Sequence, residues 1–489
     1  MFPRQLIPLM GADKSQIVGV EWDTASNSPV LRRIDADGSP INVTAAYFNQ
    51  HPIFGQMWRC CLSDAGVPTF GANARGDGLT LDGSTGQVMV RIPVVYVKSE
   101  KVGTKNRFWV SPAQYMGFEL HPAFRQRGGT ARSQIYVGAY TGCLGIKADG
   151  TKYLLSRTGE QPFTGGVIIE LPFTSGSSAP VVGETLTGET STKTGIVIGH
   201  YVISGTFAGG NAIGKVYLKQ PGVATALFTN GEAVLRTAAD IMTTSNTGAV
   251  LPFTRQLSET YGNNIGSRWG SVNVWAWDLI TRILYPIEYA NWNSQSTTVG
   301  IGQGIVNKAS GAGFAGEVNG SQSADSNIAT NGTGKGTGTD GLTPIVYRGI
   351  ENPWGNVWQF VIGLDALDAA YQVLKRDGTG TPACPLTAGN YESSVAAPPI
   401  YHVTNNPDAY VKNLLYEDLA KYLLLPDLGG ASNATYLCDY IYWHRSGQVN
   451  VLLAGGTWYH GAAAGVGFRL LNDVASYSIR IVGARCEFV

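Results

Sequence analysis

Charge is scarce in this chain. Of 489 residues only 14% are Asp, Glu, Lys or Arg, and 35 basic side chains balance 35 acidic ones to a formal net charge of +0. Soluble domains carry about 25% charged residues. Binding to nucleic acid draws on a basic surplus or stripe that releases counterions, and its lack excludes that partner class. Cysteine is sparse too. Cys60, Cys61, Cys143, Cys384, Cys438 and Cys486 form no C-x-x-C pair, which argues against a zinc ribbon or redox motif and leaves reduced, packed thiols as the expectation. No apolar stretch reaches the ~18–20 residues of a spanning helix, so no membrane insertion is expected. The opening run Met1-Phe2-Pro3-Arg4-Gln5-Leu6-Ile7-Pro8 lacks the charged-then-apolar run and small-residue cleavage site of a secretory signal, so no secretion by a cleaved signal is expected.

Catalytic signatures are missing as well. There is no G-x-S-x-G elbow, no H-E-x-x-H pair and no phosphate-binding loop, since Lys335 precedes Gly336 where Ser or Thr is required. His51, His121, His200, His402, His444 and His460 show no ligand spacing, so no metal and no other cofactor is expected. Gly300-Ile301-Gly302-Gln303-Gly304 follows a predicted helix rather than a strand and reads as a turn. Arg75-Gly76-Asp77 lies in a turn-rich run and reads the same way.

What the chain does have is core-forming material, with 44% hydrophobic and 10% aromatic residues. Short alternating runs such as Gln87-Val88-Met89-Val90-Arg91-Ile92, punctuated by Gly, Asn, Asp and Pro, dominate and read as strands. Two helices stand out. One is expected over Ser271 to Asn291, where Val274, Trp275, Trp277, Ile280, Ile283, Leu284 and Ile287 recur near a 3.6 spacing and Pro286 should kink or end it. The other is expected from Asn406-Pro407-Asp408 to about Leu424. The fold class is therefore mostly β with a few helices (α+β).

Texture divides the chain. Residues 1–86 read as a separate β-rich leader, with turns at Asp35-Ala36-Asp37-Gly38 and Asp82-Gly83. Over 163–248 Trp vanishes while Gly, Thr and Val rise, which suggests a small all-β module inserted into a larger domain formed by 87–162 and 249–489. Ala309 to Gly341 is a long Gly/Ser/Asn/Thr loop, of the kind that is functional or mobile.

Two pieces in the last third carry the functional reading. Glu351-Asn352-Pro353-Trp354-Gly355-Asn356-Val357-Trp358 sets two tryptophans around a Gly-Asn turn, and Gly455-Gly456-Thr457-Trp458 opens a segment that closes at Gly483-Ala484-Arg485. Together G-N-V-W and G-G-x-W…G-x-R resemble the C-type-lectin-like fold of the formylglycine-generating-enzyme type. Sulfatase-modifying enzymes share that fold with the variable proteins of diversity-generating retroelements, including phage tropism determinants. Tyr347 to Asn356, Ile287 to Gln295 and Gly86 to Pro93 look more like phage tail or surface adhesin segments, in the same order, than like the enzymes.

The resemblance implies a division of labour. The enzymes need reactive cysteines between the two elements, and none lies between Trp458 and Arg485, so no enzyme activity carries over. Calcium lectins use E-P-N or Q-P-D with W-N-D, of which Leu471-Asn472-Asp473 is a partial echo only. In the retroelement-type proteins the intervening residues face outward and contact the receptor. By position that set is Tyr459, His460, Val466, Phe468, Asn472, Asp473, Ser476, Tyr477 and Ser478, about half of which, Val466 and Phe468 first, are expected to point into the core instead. Trp354, Trp358, Trp458 and Arg485 would be scaffold.

The expectation is a non-enzymatic bacteriophage virion protein made in the host cytoplasm, a tail-associated adhesin that recognises a host cell-surface protein or glycan through its C-terminal lectin-like domain. The leader would attach it to other virion proteins, and relatives imply a homotrimer. The alternative is a structural or decoration protein of capsid, collar or baseplate with no receptor role.

Overall fold

Alternating β-branched and aromatic residues bounded by turn formers build sheets when each strand can bury one face. The computed structural model describes residues 13–220, 227–308, 328–336, 340–423 and 425–489. Strand accounts for 37% and helix for 10%, so the protein is mostly β with few helices. Among the described residues no helix is long and apolar enough to cross a membrane. The opening residues and most of the long Gly/Ser/Asn/Thr loop lie outside the described residues.

Four sheets carry the architecture. A five-stranded antiparallel sheet runs in the order Arg32–Ile34, Val18–Asp23, Lys105–Ser111, Tyr96–Val102, Glu119–Leu120. A six-stranded sheet runs Trp269–Ser271, Cys486–Phe488, Gln134–Gly138, Gln87–Pro93, Trp58–Leu62, Pro68–Phe70. The expected leader is therefore not separate. Val18–Asp23 pairs along its whole length with Lys105–Ser111, and Trp58–Leu62 with Gln87–Pro93, so a boundary at residue 86 would cut through two sheets. Asp35 to Gly38 is a tight turn after Arg32–Ile34, and Asp82-Gly83 lies in the loop between two strands that both pair with Trp58–Leu62.

The third sheet is made only of strands between Ile168 and Val250. Ile168–Gly176 pairs with Ala239–Thr244 on one side and with Ala212–Lys219 on the other, which closes a ring through Thr194–Ser204, Thr185–Gly188 and Ala233–Arg236. Closure leaves few open edges and gives the ring its own core of Leu171, Phe173, Leu186, Val197, Val216, Leu218, Val234 and Ile241. The chain enters and leaves at one point, where Leu251 N donates to Ile168 O at 2.8 Å.

The fourth sheet holds the C-terminal half, in the order Tyr391–Ser393, Tyr371–Leu374, Trp358–Ala366, Asn450–Ala454, Arg469–Asp473, Tyr440–Tyr442, Ala409–Leu414, Pro426–Ala431. Val482–Ala484 adds to Trp358–Ala366 in parallel.

The helix expected over Ser271 to Asn291 forms between Val274 and Tyr289, with Asn273 as the N-cap accepting from Ala276 N. Pro286 does not end it. A π-helical turn over Leu279–Leu284 precedes the proline, the helix resumes over Tyr285–Tyr289, and Ala290 closes it at φ 51°. Its polar positions are buried too. Asp278 pairs with Arg469, and Arg282 donates to Gly467 O at 2.6 Å, so the helix grips the strand that follows the Gly-Gly-x-Trp element.

The second expected helix is absent. Ala409–Leu414 is a strand, and helix appears only as a single 3-10 turn over Ala420–Tyr422. Asp408, expected as the acidic residue of a first helical turn, instead accepts from Trp443 N and from the Arg445 guanidinium, which holds this strand beside Tyr440–Tyr442. Conversely Arg255–Asn263 is a helix the periodicity did not announce, capped by Thr254, whose side chain accepts from Leu257 N.

Replacing residues 168–250 by a short Gly/Ser linker is expected to leave one cooperative thermal transition. Stability should fall by about 2–5 kcal/mol, because Ile168 and Tyr217 leave the neighbouring apolar cluster; circular dichroism during denaturation checks both points.

Candidate binding surface

The two sequence elements singled out above meet in space. Gly355 N donates to Gly455 O at 3.0 Å, and Trp458 N to Asn356 O at 3.1 Å, so the Gly-Asn turn and the Gly-Gly-x-Trp turn are bonded to each other. Gly456 sits at φ 85°, and a Cβ there would come within 2.7 Å of the Phe468 ring, so both backbone and space require glycine. The third element joins them through Val482–Ala484, which runs parallel to Trp358, Gln359 and Phe360.

Arg485 binds the junction. Its guanidinium is fully buried and donates to Gln359 Oε1 (3.0 Å), Gly138 O (2.9 Å), Glu351 O (2.7 Å) and Thr141 Oγ1 (3.3 Å), while lying over the Trp277 ring. Burial pushes its pKa down to about 10, which still leaves it charged at neutral pH. Trp354, Trp358 and Trp458 are buried around the same junction, with Trp354 Nε1 donating to Gln303 O.

The residues expected to face outward divide. Tyr459 and Ser476 are exposed, whereas His460, Asn472, Asp473, Tyr477 and Ser478 are half-buried. Val466 and Phe468 are buried and cannot contact a partner. Phe468 fills the space between Trp358 (ring centroids 4.6 Å apart) and His460 (5.1 Å), and Val466 N donates to Ser294 Oγ. Ser478 also has an internal task, accepting from Phe253 N at 2.8 Å.

The histidine holds a defined tautomer. His460 Nδ1 accepts from Thr457 N at 3.0 Å, and burial pushes its pKa down to about 4, so the ring is neutral with its proton on Nε2. Its face stacks on Tyr459 at 4.7 Å. From there a file of half-buried rings continues through Tyr442 (6.2 Å from His460), Tyr440 (5.4 Å further) and Tyr410 (5.2 Å further). These three tyrosines were missed in the sequence. The signal was the alternation Tyr440-Ile441-Tyr442, which sends both phenols to one face and the isoleucine into the core; Tyr410 then stands opposite Tyr440 in register. No protein-family model matches the chain, and no curated protein gives a match.

Asp473 lies near Tyr477, which in turn lies near Tyr459. Burial raises the Asp473 carboxyl from the ordinary 3.8 to about 6, with Arg445 acting the other way. Among the described residues no three His, Cys, Asp or Glu side chains converge as a metal site. All six cysteines are free thiols, and burial pushes those of Cys60, Cys143, Cys438 and Cys486 up to about 12, far from the reactive thiolate.

Two measurements probe this surface. Arg485→Lys keeps a charge but loses the planar fork, and should cost about 3 kcal/mol in urea unfolding because several acceptors are left unpaired. For Asp473, the native carboxyl holds its proton more tightly than the unfolded one. Its contribution is complete below 3.8 and is lost as pH rises through about 6. Asp473→Asn is therefore expected to melt higher than the parent at about pH 7, with the two converging near about pH 4.

Proposed function

We propose that the chain is a binding protein of a bacteriophage particle, a tail-associated adhesin whose C-terminal half has a C-type-lectin-like fold and recognises the host cell surface. One observation carries the reading: the G-N-V-W, G-G-x-W and G-x-R elements converge on one rigid junction that holds Tyr459 and the tyrosine file at the surface. A binding surface of this kind works through large rings of low conformational entropy on an immobile base. Tyr459, Tyr442, Tyr440, Tyr410 and Tyr477 supply the rings, and Asn472, Asp473 and Ser476 the polar contacts beside them. The buried Arg485 and tryptophans supply the base. Catalysis is no part of the proposal, because Arg485, Arg469 and Asp278 are occupied in holding elements together.

The closed β ring at 168–250 is a second surface, suited to neighbouring subunits or glycans. A homotrimer would multiply weak sites into avidity, with other virion proteins holding the N-terminal part. The competing reading is a structural or decoration protein of capsid, collar or baseplate.

The test is binding of the purified protein to host cells, compared with a Tyr459→Ala, Tyr442→Ala double variant, both residues lying at the surface end of the file. Binding that falls at least ~10-fold while the melting temperature is kept supports the adhesin. Absence of binding by the parent protein moves the decoration reading ahead.

A further inference from the structure

Beside the Gly461–Ala463 turn that follows His460 is a cavity of about 310 Å³ that no step above uses. Its size is at the lower end of ligand pockets, ~300–1,000 Å³. The walls are amides and hydroxyls: Asn293, Gln295, Ser296 and Gln303 from the segment after the long helix, and Asn433 from the loop before Tyr440–Tyr442. Asp439 also lines it.

The hydrogen bonds of these groups are incomplete in a consistent way. Asn293 and Asn433 make no side-chain hydrogen bond among the described residues, so each offers a donor and an acceptor. Gln295 donates through Nε2 to Gly461 O and Ala464 O, which fixes its orientation and leaves Oε1 open. Gln303 accepts from Asn307 through Oε1 and keeps its Nε2.

Asp439 is the decisive member. It is only 2% exposed, and Oδ2 accepts from Gly467 N at 2.6 Å, while Oδ1 receives no hydrogen bond among the described residues. Asp439 lines the cavity, so this oxygen is open to a donor of a bound ligand. Gly465 and Gly467 both crowd the carboxylate, and a Cβ at Gly465 would overlap it, so the strap is glycine in order to admit this side chain. Burial raises the Asp439 carboxyl well above its ordinary value, against the fields of Arg282 and Arg469 behind it.

Charge narrows the ligand. No basic side chain lines the cavity, which disfavours an anion, and the two guanidiniums behind Asp439 offset the attraction a cation would feel. An apolar ligand would leave the amides unpaired. A ligand with many groups that both donate and accept matches the lining. We infer that this cavity binds a neutral sugar unit of a glycan, with Asp439, Asn293, Asn433, Gln295 and Gln303 as its hydrogen-bonding partners. The inference deepens the adhesin reading, on which it rests for the source of the sugar.

Saturation-transfer NMR on the full chain tests it, with D-glucose, D-galactose, D-mannose and N-acetyl-D-glucosamine each at ~10 mM, enough to populate a millimolar site. N-acetylneuraminic acid and D-glucosamine serve as the anionic and cationic comparators. The expected result is transfer to at least one neutral sugar and weaker transfer to both charged ones. Asn433→Trp, at an exposed position on the rim, should weaken it by at least ~10-fold with the melting temperature unchanged, and Asn293→Ala with Gln303→Ala should do the same without filling the space. No transfer to any neutral sugar, a preference for a charged one, or transfer that survives Asn433→Trp overturns the inference. The two readings fail separately. Loss of host-cell binding in the tyrosine variant without any sugar signal keeps the adhesin and removes the sugar pocket; a sugar signal without cell binding keeps the pocket and removes the adhesin.

Discussion

Everything in the C-terminal half depends on keeping one charged group dry. A guanidinium taken from water costs several kcal/mol, and among the described residues no carboxylate hydrogen-bonds to Arg485, so the field of Glu351 offsets that cost only in part. The guanidinium recovers the loss through four acceptors, Gly138 and Thr141 on one stretch of chain and Glu351 and Gln359 further on, and through the Trp277 face. Those acceptors converge only when the six-stranded sheet, the Gly-Asn turn and the strand from Trp358 are all in place. The burial of one charge thereby specifies a single arrangement of parts that the apolar core alone would tolerate in several.

A second buried group of charges works on the same lines. Asp278 and Arg282 on the long helix meet Arg469 and the Gly465–Gly467 strap, where Asp439 is also enclosed. Asp278 and Arg282 meet the Arg469–Asp473 strand and its strap through ion pairing and hydrogen bonding, so the contact is directional.

Local patterns in the amino-acid order were legible where chemistry and neighbourhood agreed. Two-residue alternation found the strands, the loss of tryptophan outlined a region whose strands pair among themselves, and Trp354, Trp358, Trp458 and Arg485 are all buried. Failures came where tertiary pairing overrode a local signal. Asn406-Pro407-Asp408 reads as a helix start, yet Arg445 and Trp443 take the Asp408 carboxylate and the following residues pair with Tyr440–Tyr442. Asp82-Gly83 reads as a border and lies in a loop between two strands of one sheet. The cavity beside Gly461 was invisible for a different reason, since its walls come from two distant segments and amides carry no spacing rule that would reveal them together.

The position of Cys486–Phe488 has a temporal side. This strand lies inside the six-stranded sheet, between Trp269–Ser271 and Gln134–Gly138. During synthesis Gln134–Gly138 leaves the ribosome long before its partner exists, and one of its edges stays open while everything between is being made. An open edge recruits other chains. The closed ring at 168–250, by contrast, contains all its own pairings and can fold as soon as it emerges. Nascent chains therefore carry a finished module and an unfinished sheet together, and crowded expression favours association between copies at Gln134–Gly138 before the last strand arrives.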